Sequence, residues 1–554
     1  MTSHVGIRAA SRIRRSIAVG AVALGAASFA ACGGSADVKS GAGPVDTASF
    51  IPAGSLFYME ESTDLNSAQW QTALDIAKRF PGFETVMSDM KKSMAKDGVE
   101  FSRDILPLLG TSAAQGVVTI DPSKLDRPGA RTTATGTATT SNDYVPPAVM
   151  AIDIADGKDA EVEKLITSSK MGGAVKVGTE GTVTIYKGTG TDSHGSTEGW
   201  FAVTDGTLVI GSTEEVLKQS LAAHTSGANM AKSDRLQSVL GALPADTIAQ
   251  GYVDIAGAME IAKQALPAES LKQLNASGIG PDAAMGMSLT AEQAGLRIKA
   301  IGVDYQSKGT TAFTPTFTAN IPANAVLMLG ASNLFEMGRA SLEPLMAQDE
   351  QVKGQLLQAK GALALFGLST TDLKTLFSGE SAFTVTPGSE PDKPAFGGVV
   401  GTSDGAQSAT ILDRLRTSIP QMSNGAVPAF TSVPLANGVS GWESKTDPKA
   451  SVVYGVDGNN VLLGSSLDLV RQIQSPKVAL ADDAAFVAAT RQMPAKVASL
   501  MWVNGDTLWP MMQALGAFKT APAEALPNLK HLRNLAVWST QGDQQTMEAF
   551  LTVG

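Results

Sequence analysis

At 554 residues the chain is too long for a single hydrophobic core, and about two to four domains are expected. Its 43% apolar and 17% charged residues describe a foldable chain and exclude a disordered one, and a net charge of −10 excludes the basic surface that nucleic acid would need. Aromatic residues make up only 5%, so cores have to be built mainly from Ala, Val, Leu, Ile and Met.

The first 31 residues read as a signal peptide. Arg8, Arg12, Arg14 and Arg15 form a basic n-region, and Ser16 to Ala31 form an apolar stretch that is short for a membrane span. Cys32, the single cysteine, follows at once, and Phe29-Ala30-Ala31-Cys32 resembles a bacterial lipobox, with Phe29 where an aliphatic residue is usual. On that reading cleavage falls between Ala31 and Cys32, and the Cys32 thiol carries the lipid. The alternative is an uncleaved signal anchor with an incidental cysteine. Losing the four arginines leaves 39 basic against 53 acidic residues, a charge of −14, so attachment to anionic lipid by charge alone is not expected. Two or more acyl chains would hold the protein stably on the extracytoplasmic face of the cell membrane. Residues 32–49, rich in Gly and Ser, read as a flexible tether. With no other cysteine there is no disulfide.

Beyond the tether the same parts come twice. Ile51-Pro52-Ala53 leads a strand from Leu56 to Met59 and a helix through Trp70, and Ile321-Pro322-Ala323 leads Val326 to Leu329 and a helix from Asn333. Proline fixes the backbone and has no N–H to give, which suits the start of a strand. Strands at 116–120 and 148–154 are matched by strands at 382–386 and 396–400, with Asp156-Gly157 and Asp404-Gly405 after them. Trp200 to Gln219 then reads as strand, tight turn, strand and helix. Asp205-Gly206 is a strong hairpin signal, and Ser212 is placed to cap a helix whose first turn carries Glu214 and Glu215. Val452 to Gln472 repeats this with Asp457-Gly458 and Ser465, at the cost of one extra turn residue. Pro244-Ala245 and Pro494-Ala495 open further strand-helix pairs, and two strands close each half.

The expected fold is therefore α+β: two tandem homologous halves, 50–304 and 319–554, each a largely antiparallel sheet with helices on one face. A linker at 305–318 joins them, and the first half carries a low-complexity Thr-rich insert at 128–143 that reads as a disordered surface loop, the alternative being a site of sugar attachment. The Pro-Ala-led strand, the D-G-x-L-V-I-G-S hairpin and the lipobox together resemble a family of bacterial envelope proteins common in high-GC Gram-positives. That family is catalogued as a domain of unknown function. The resemblance spans Ile51 to Val553 and implies secretion or membrane attachment with no assigned reaction.

Residues with chemistry to offer do not form a recognisable site. His194, His224 and His531 are not at ligand spacing, so neither a metal nor a cofactor is expected. His224 reads as a cation at a helix end, and Asp482-Asp483 as a helix cap. Ser88 to Lys91 matches S-x-x-K without its partner motifs and reads as part of a charged helix face. Gly188-Thr-Gly190 and Gly397-Gly398 read as turns, and Glu60-Glu61 as carboxylates that point apart. Met87, Met90, Met94, Met511 and Met512 read as core filler or as an adaptable apolar surface. No catalytic residue is assigned. The expectation is a non-enzymatic scaffold binding an apolar ligand, a polymer or an envelope protein; the alternative is an envelope hydrolase.

Overall fold

The computed structural model describes residues 46–96, 98–119, 146–168, 173–192, 195–265, 279–305, 309–348, 350–390, 393–423, 427–447, 450–518, 525–542 and 544–554. The expected signal peptide, Ala31, Cys32, His194 and the 128–143 insert lie outside these residues. Apart from Ile279, the described residues fall into two compact units that divide between Asp304 and Tyr305. The class is α+β, built on antiparallel strands.

The first unit has strands β1 (Phe57–Ser62), β2 (Leu109–Val117), β3 (Ala148–Ile154), β4 (Val175–Glu180), β5 (Val183–Asp192), β6 (Gly195–Thr204), β7 (Thr207–Gly211), β8 (Ala249–Asp254), β9 (Ile279–Glu292) and β10 (Gly295–Tyr305). Their order across the sheet is β4-β5-β6-β7-β3-β2-β1-β8-β9-β10. Its helices are α1 (Ala68–Ala77), α2 (Phe83–Lys96), α3 (Asp159–Thr167), α4 (Glu214–Ser226), α5 (Asp234–Leu240) and α6 (Ile255–Ala265). Alternate strand residues Tyr58, Ala114, Val149, Val209 and Tyr252 turn to one face, as the two-residue period of a strand requires, and bury against α4 and α5.

The second unit has β11 (Leu327–Ser332), β12 (Glu380–Thr386), β13 (Ala395–Gly401), β14 (Thr431–Pro434), β15 (Ser440–Asp447), β16 (Ala450–Asp457), β17 (Asn460–Gly464), β18 (Ser499–Asn504), β19 (Leu532–Thr540) and β20 (Gln545–Val553). They run β14-β15-β16-β17-β13-β12-β11-β18-β19-β20. The helices are α7 (Leu334–Gln348), α8 (Glu350–Leu365), α9 (Thr370–Leu376), α10 (Gly405–Met422), α11 (Leu467–Gln474), α12 (Ala484–Ala489), α13 (Gly505–Ala514) and α14 (Ala525–Leu529). Met328, Val399, Leu462, Trp502 and Trp538 bury one face of this sheet against α11 and α12.

Helices were expected on one face only, and the second unit corrects this. Val400 and Val461, which point away from the first core, pack with Leu376 of α9 and Ile411 of α10 into a separate cluster. Both sheet faces carry helix cover. The sequence pattern hid this because the strand residues on the second face are apolar too, as in any sheet covered twice.

Local expectations change as well. The central turns have equal length: Thr204 pairs Thr207, and Asp457 pairs Asn460, so each loop has two residues and no extra residue is present. In the first loop Asp205 and Gly206 both have positive φ (48° and 71°); in the second, φ is positive at Gly458 (58°) and not at Asn459. These are the I′ and II′ signatures. The helix caps are Thr213 and Ser466, one residue later than expected. Ser212 and Ser465 instead accept hydrogen bonds from the backbone N–H groups of Ala148 (3.0 Å) and Phe396 (2.9 Å), tying the hairpin to the neighbouring strand. Gly188 and Gly190 lie in β5, and Gly397 and Gly398 in β13, so these glycines are strand residues and not turns.

Finally, the folded chain starts before Phe50. Asp46 caps a short 3-10 turn, Thr47–Phe50, that buries Thr47, Ala48 and Phe50, so the last residues of the expected tether belong to the core. The expected linker is likewise folded at its far end, where Phe313 is buried and its backbone exchanges hydrogen bonds with Val497.

Candidate functional site

The second face of the β11–β18 sheet is only partly covered. At one end α9 and α10 close over Val400 and Val461. At the other end lies an open apolar groove of about 420 Å3 crossing β11, β12, β13, β17 and β16. Its walls include Leu329, Phe383, Phe396, Val452 and Leu463. Leu329, Phe396 and Val452 are 45%, 56% and 49% exposed, an unusual state for large apolar side chains on interior strands.

Glycine makes the room. A Cβ at Gly398 would stand 2.8 Å from Cδ1 of Phe383 and 2.7 Å from the Ala382 carbonyl oxygen, so the bare backbone is what lets the Phe383 ring lie over β13. Phe383 and Gly398 are direct cross-strand partners. Gly397 serves the opposite face, where a Cβ would strike Ile473 and Leu469. Gly within a strand marks a close approach of this kind.

Two of the corresponding ladder positions of the first unit are buried. Phe57↔Val117↔Ala148 occupies the register of Leu327↔Val385↔Phe396, which aligns Met59 with Leu329, Met150 with Gly398 and Ala148 with Phe396. Met59 is 7% exposed and Ala148 1%.

Titratable groups gather elsewhere. Ser49 Oγ lies 2.9 Å from His224 Nδ1, and His224 Nε2 lies 3.2 Å from Asp205 Oδ2. The His224 ring stacks on Phe50 with centroids 3.9 Å apart and planes 6° from parallel. Sequence reading placed His224 at a helix end, where it is, but missed Ser49 and Asp205, which are 175 and 19 residues away from it. Asp205 is 71% exposed, unlike the buried carboxylate that orients a catalytic imidazole. The trio fastens the first folded residues to the central hairpin.

Glu60 and Glu61 point to opposite faces of β1, as expected. Burial pushes both carboxyls above the usual range; Glu60 accepts a hydrogen bond from the Tyr58 hydroxyl at 3.0 Å, and burial together with the Glu60 charge raises the Tyr58 phenol well above its own. Ser88 and Lys91 are exposed on α2, and Asp483 caps α12. Among the described residues no group of three His, Cys, Asp or Glu could hold a metal ion, and no helix is long and apolar enough to cross a membrane.

A family model described as "Protein of unknown function (DUF3352)" matches residues 16–553. No curated protein and no solved structure matches the chain.

Proposed function

The chain belongs to that family of proteins of unknown function, and from its own geometry we propose that it is a lipid-anchored, non-enzymatic envelope protein whose second unit binds an apolar ligand. The observation that carries this reading is the open groove on β11–β12–β13–β17–β16, two of whose exposed walls, Leu329 and Phe396, stand at ladder positions that are buried in the first unit. Large apolar side chains left in water on a rigid sheet are stabilised when something covers them, at about 25 cal/mol per Å2. We read the two units as homologous halves of one duplicated scaffold, one filled by its own side chains and one left open. Supporting this are the matched strand orders and the paired serine stitches at Ser212 and Ser465.

Anchoring rests on Cys32 at the end of the apolar leader, which would hold the protein on the extracytoplasmic face of the membrane in a high-GC Gram-positive cell. Replacing Cys32 by Ala should abolish lipid labelling and shift the protein out of the membrane fraction; unchanged retention would refute the anchor. For the groove, a solvatochromic apolar dye should bind the folded protein at one site, and Val452→Asp should abolish that binding.

One observation favours a second reading, an envelope hydrolase: the hydrogen-bonded chain from Ser49 through His224 to Asp205. A serine-directed fluorophosphonate that labels the native protein but not Ser49→Ala would establish it. The exposure of Asp205 places it second.

A further inference from the structure

What the groove can recognise follows from which of its polar groups are already engaged. None of its lining side chains is charged, and its three hydroxyls all have backbone partners. Thr384 Oγ1 donates to the Leu327 carbonyl (3.0 Å), Ser451 Oγ donates to the Ser465 carbonyl (3.3 Å), and Ser465 Oγ accepts from the Phe396 N–H. The backbone is equally committed. Each of the five strands beneath the groove has a paired neighbour on both sides, so no strand edge is open there. An extended peptide would bring amides to a surface that returns no hydrogen bonds, at a cost of about 1–3 kcal/mol for each group left dry.

Shape narrows the class further. Adjacent strands lie about 4.8 Å apart, so four intervals from β11 to β16 make the groove about 19 Å long. The groove is thus long, open along one side and lined by uncharged side chains, a form that suits an extended apolar molecule better than a compact one. Resting on the reading of this groove as an apolar ligand site, we propose that it holds a single unbranched aliphatic chain, such as one acyl chain of a lipid, laid across the strands with its polar end in solvent.

The test uses the full chain carrying Cys32→Ser, so that no acyl group of its own competes, and a straight-chain fluorescent fatty acid as the probe. Binding should saturate at one probe per chain. Unlabelled saturated fatty acids should displace it with affinity that rises with length until the chain spans the groove and is then flat. Val452→Asp and Phe396→Ser, both at exposed positions, should weaken binding at least tenfold with unchanged melting curves. Gly398→Met, which brings in the residue of the first unit, should also block it; should that variant fail to fold, the two exposed variants decide. Tight probe binding that ignores Val452→Asp and Phe396→Ser would overturn the assignment, as would preference for a sterol or for an amphipathic helical peptide over the straight chain. Those results refute the chain alone. If no apolar probe of any shape binds, the ligand-site reading itself falls.

Discussion

The two units pair their strands in matching orders and end differently on one sheet face. In the first, Met59 and Ala148 are buried at the end of that face; in the second, Leu329 and Phe396 stand exposed at the same ladder positions and line an open groove. Ladder, hairpin and stitching serine are common to both, so the difference lies in a few side chains of one strand face. A sheet tolerates this because its backbone hydrogen bonds are independent of which residue points outward. The contrast teaches that two sheets of matching strand order can differ in how one face is covered without any difference in topology.

The largest expected effect tests whether the cores correspond. Trp502 pairs with Met328 as Tyr252 pairs with Tyr58, and both are buried. Trp502 packs edge-on against Phe486, with centroids 5.3 Å apart. Trp502→Ala should destabilise the second unit by about 3–5 kcal/mol in denaturant unfolding. Its Nε1 has no hydrogen-bond partner, so Trp502→Phe gives up packed area alone and should cost clearly less. A loss below about 1 kcal/mol for the alanine variant would mean that this strand does not face a tight core.

Next in size are the central turns, where the units differ in backbone and not in length. Val at Gly206, or at Gly458, should cost about 1–3 kcal/mol, because both have positive φ. Val at Asn459 occupies the loop position of Gly206 without positive φ, and should cost little. Equal losses at Gly206 and Asn459 would show that the two turns share one type after all.

These turns also show how far the sequence could be read. Asp-Gly between two apolar runs located both hairpins, since few residue pairs tolerate such a turn. It misplaced the second by one position, because Asp457 is a strand residue there and Gly458 opens the loop. The strands and their α+β class were legible from period-two alternation. Cover on the second face was not, since apolar residues on both sides of a strand give no alternation. The groove was illegible for a different reason. Its walls come from five strands between Leu327 and Ser465, and its one local mark, Gly397-Gly398, looks like a turn until β13 is known to pass through it. The Ser49–His224–Asp205 trio was hidden likewise, by separation along the chain.

A smaller contrast concerns acid. The first unit places Glu60 and Glu61 where the register of the second has Gly330 and Ala331. Burial holds the Glu61 carboxyl above its ordinary 4.5, so the folded chain binds that proton more tightly than the unfolded one. The first unit should therefore lose stability as pH rises from 4.5 through the raised value, and Glu61→Gln should remove the loss and raise neutral-pH stability. Asp372 in the second unit runs the other way. The Ser369 hydroxyl and N–H, then the Arg414 guanidinium at 2.9 Å, hold it below its ordinary 3.8. Its contribution is complete above 3.8 and disappears as pH falls through the lowered value. Unfolding series at several pH values, reading Trp70 and Trp502 separately, would show the opposite slopes; parallel slopes would sink the contrast.

The smallest expected effect is the most informative about function. Phe396 and Ala148 share a ladder position, yet one ring stands in water and one methyl is buried. A side chain kept for packing should be costly to remove, whereas one kept for a ligand should be nearly free to remove from the empty protein. Phe396→Ala should thus change the stability of the second unit by no more than about 0.5 kcal/mol. Ligand should supply the difference: a bound chain at 100 times its Kd adds about 2.7 kcal/mol to the wild type, and the variant should gain measurably less at the same concentration. If Phe396→Ala instead costs as much as a core truncation without ligand, the ring is structural and the two units are alike at this end after all.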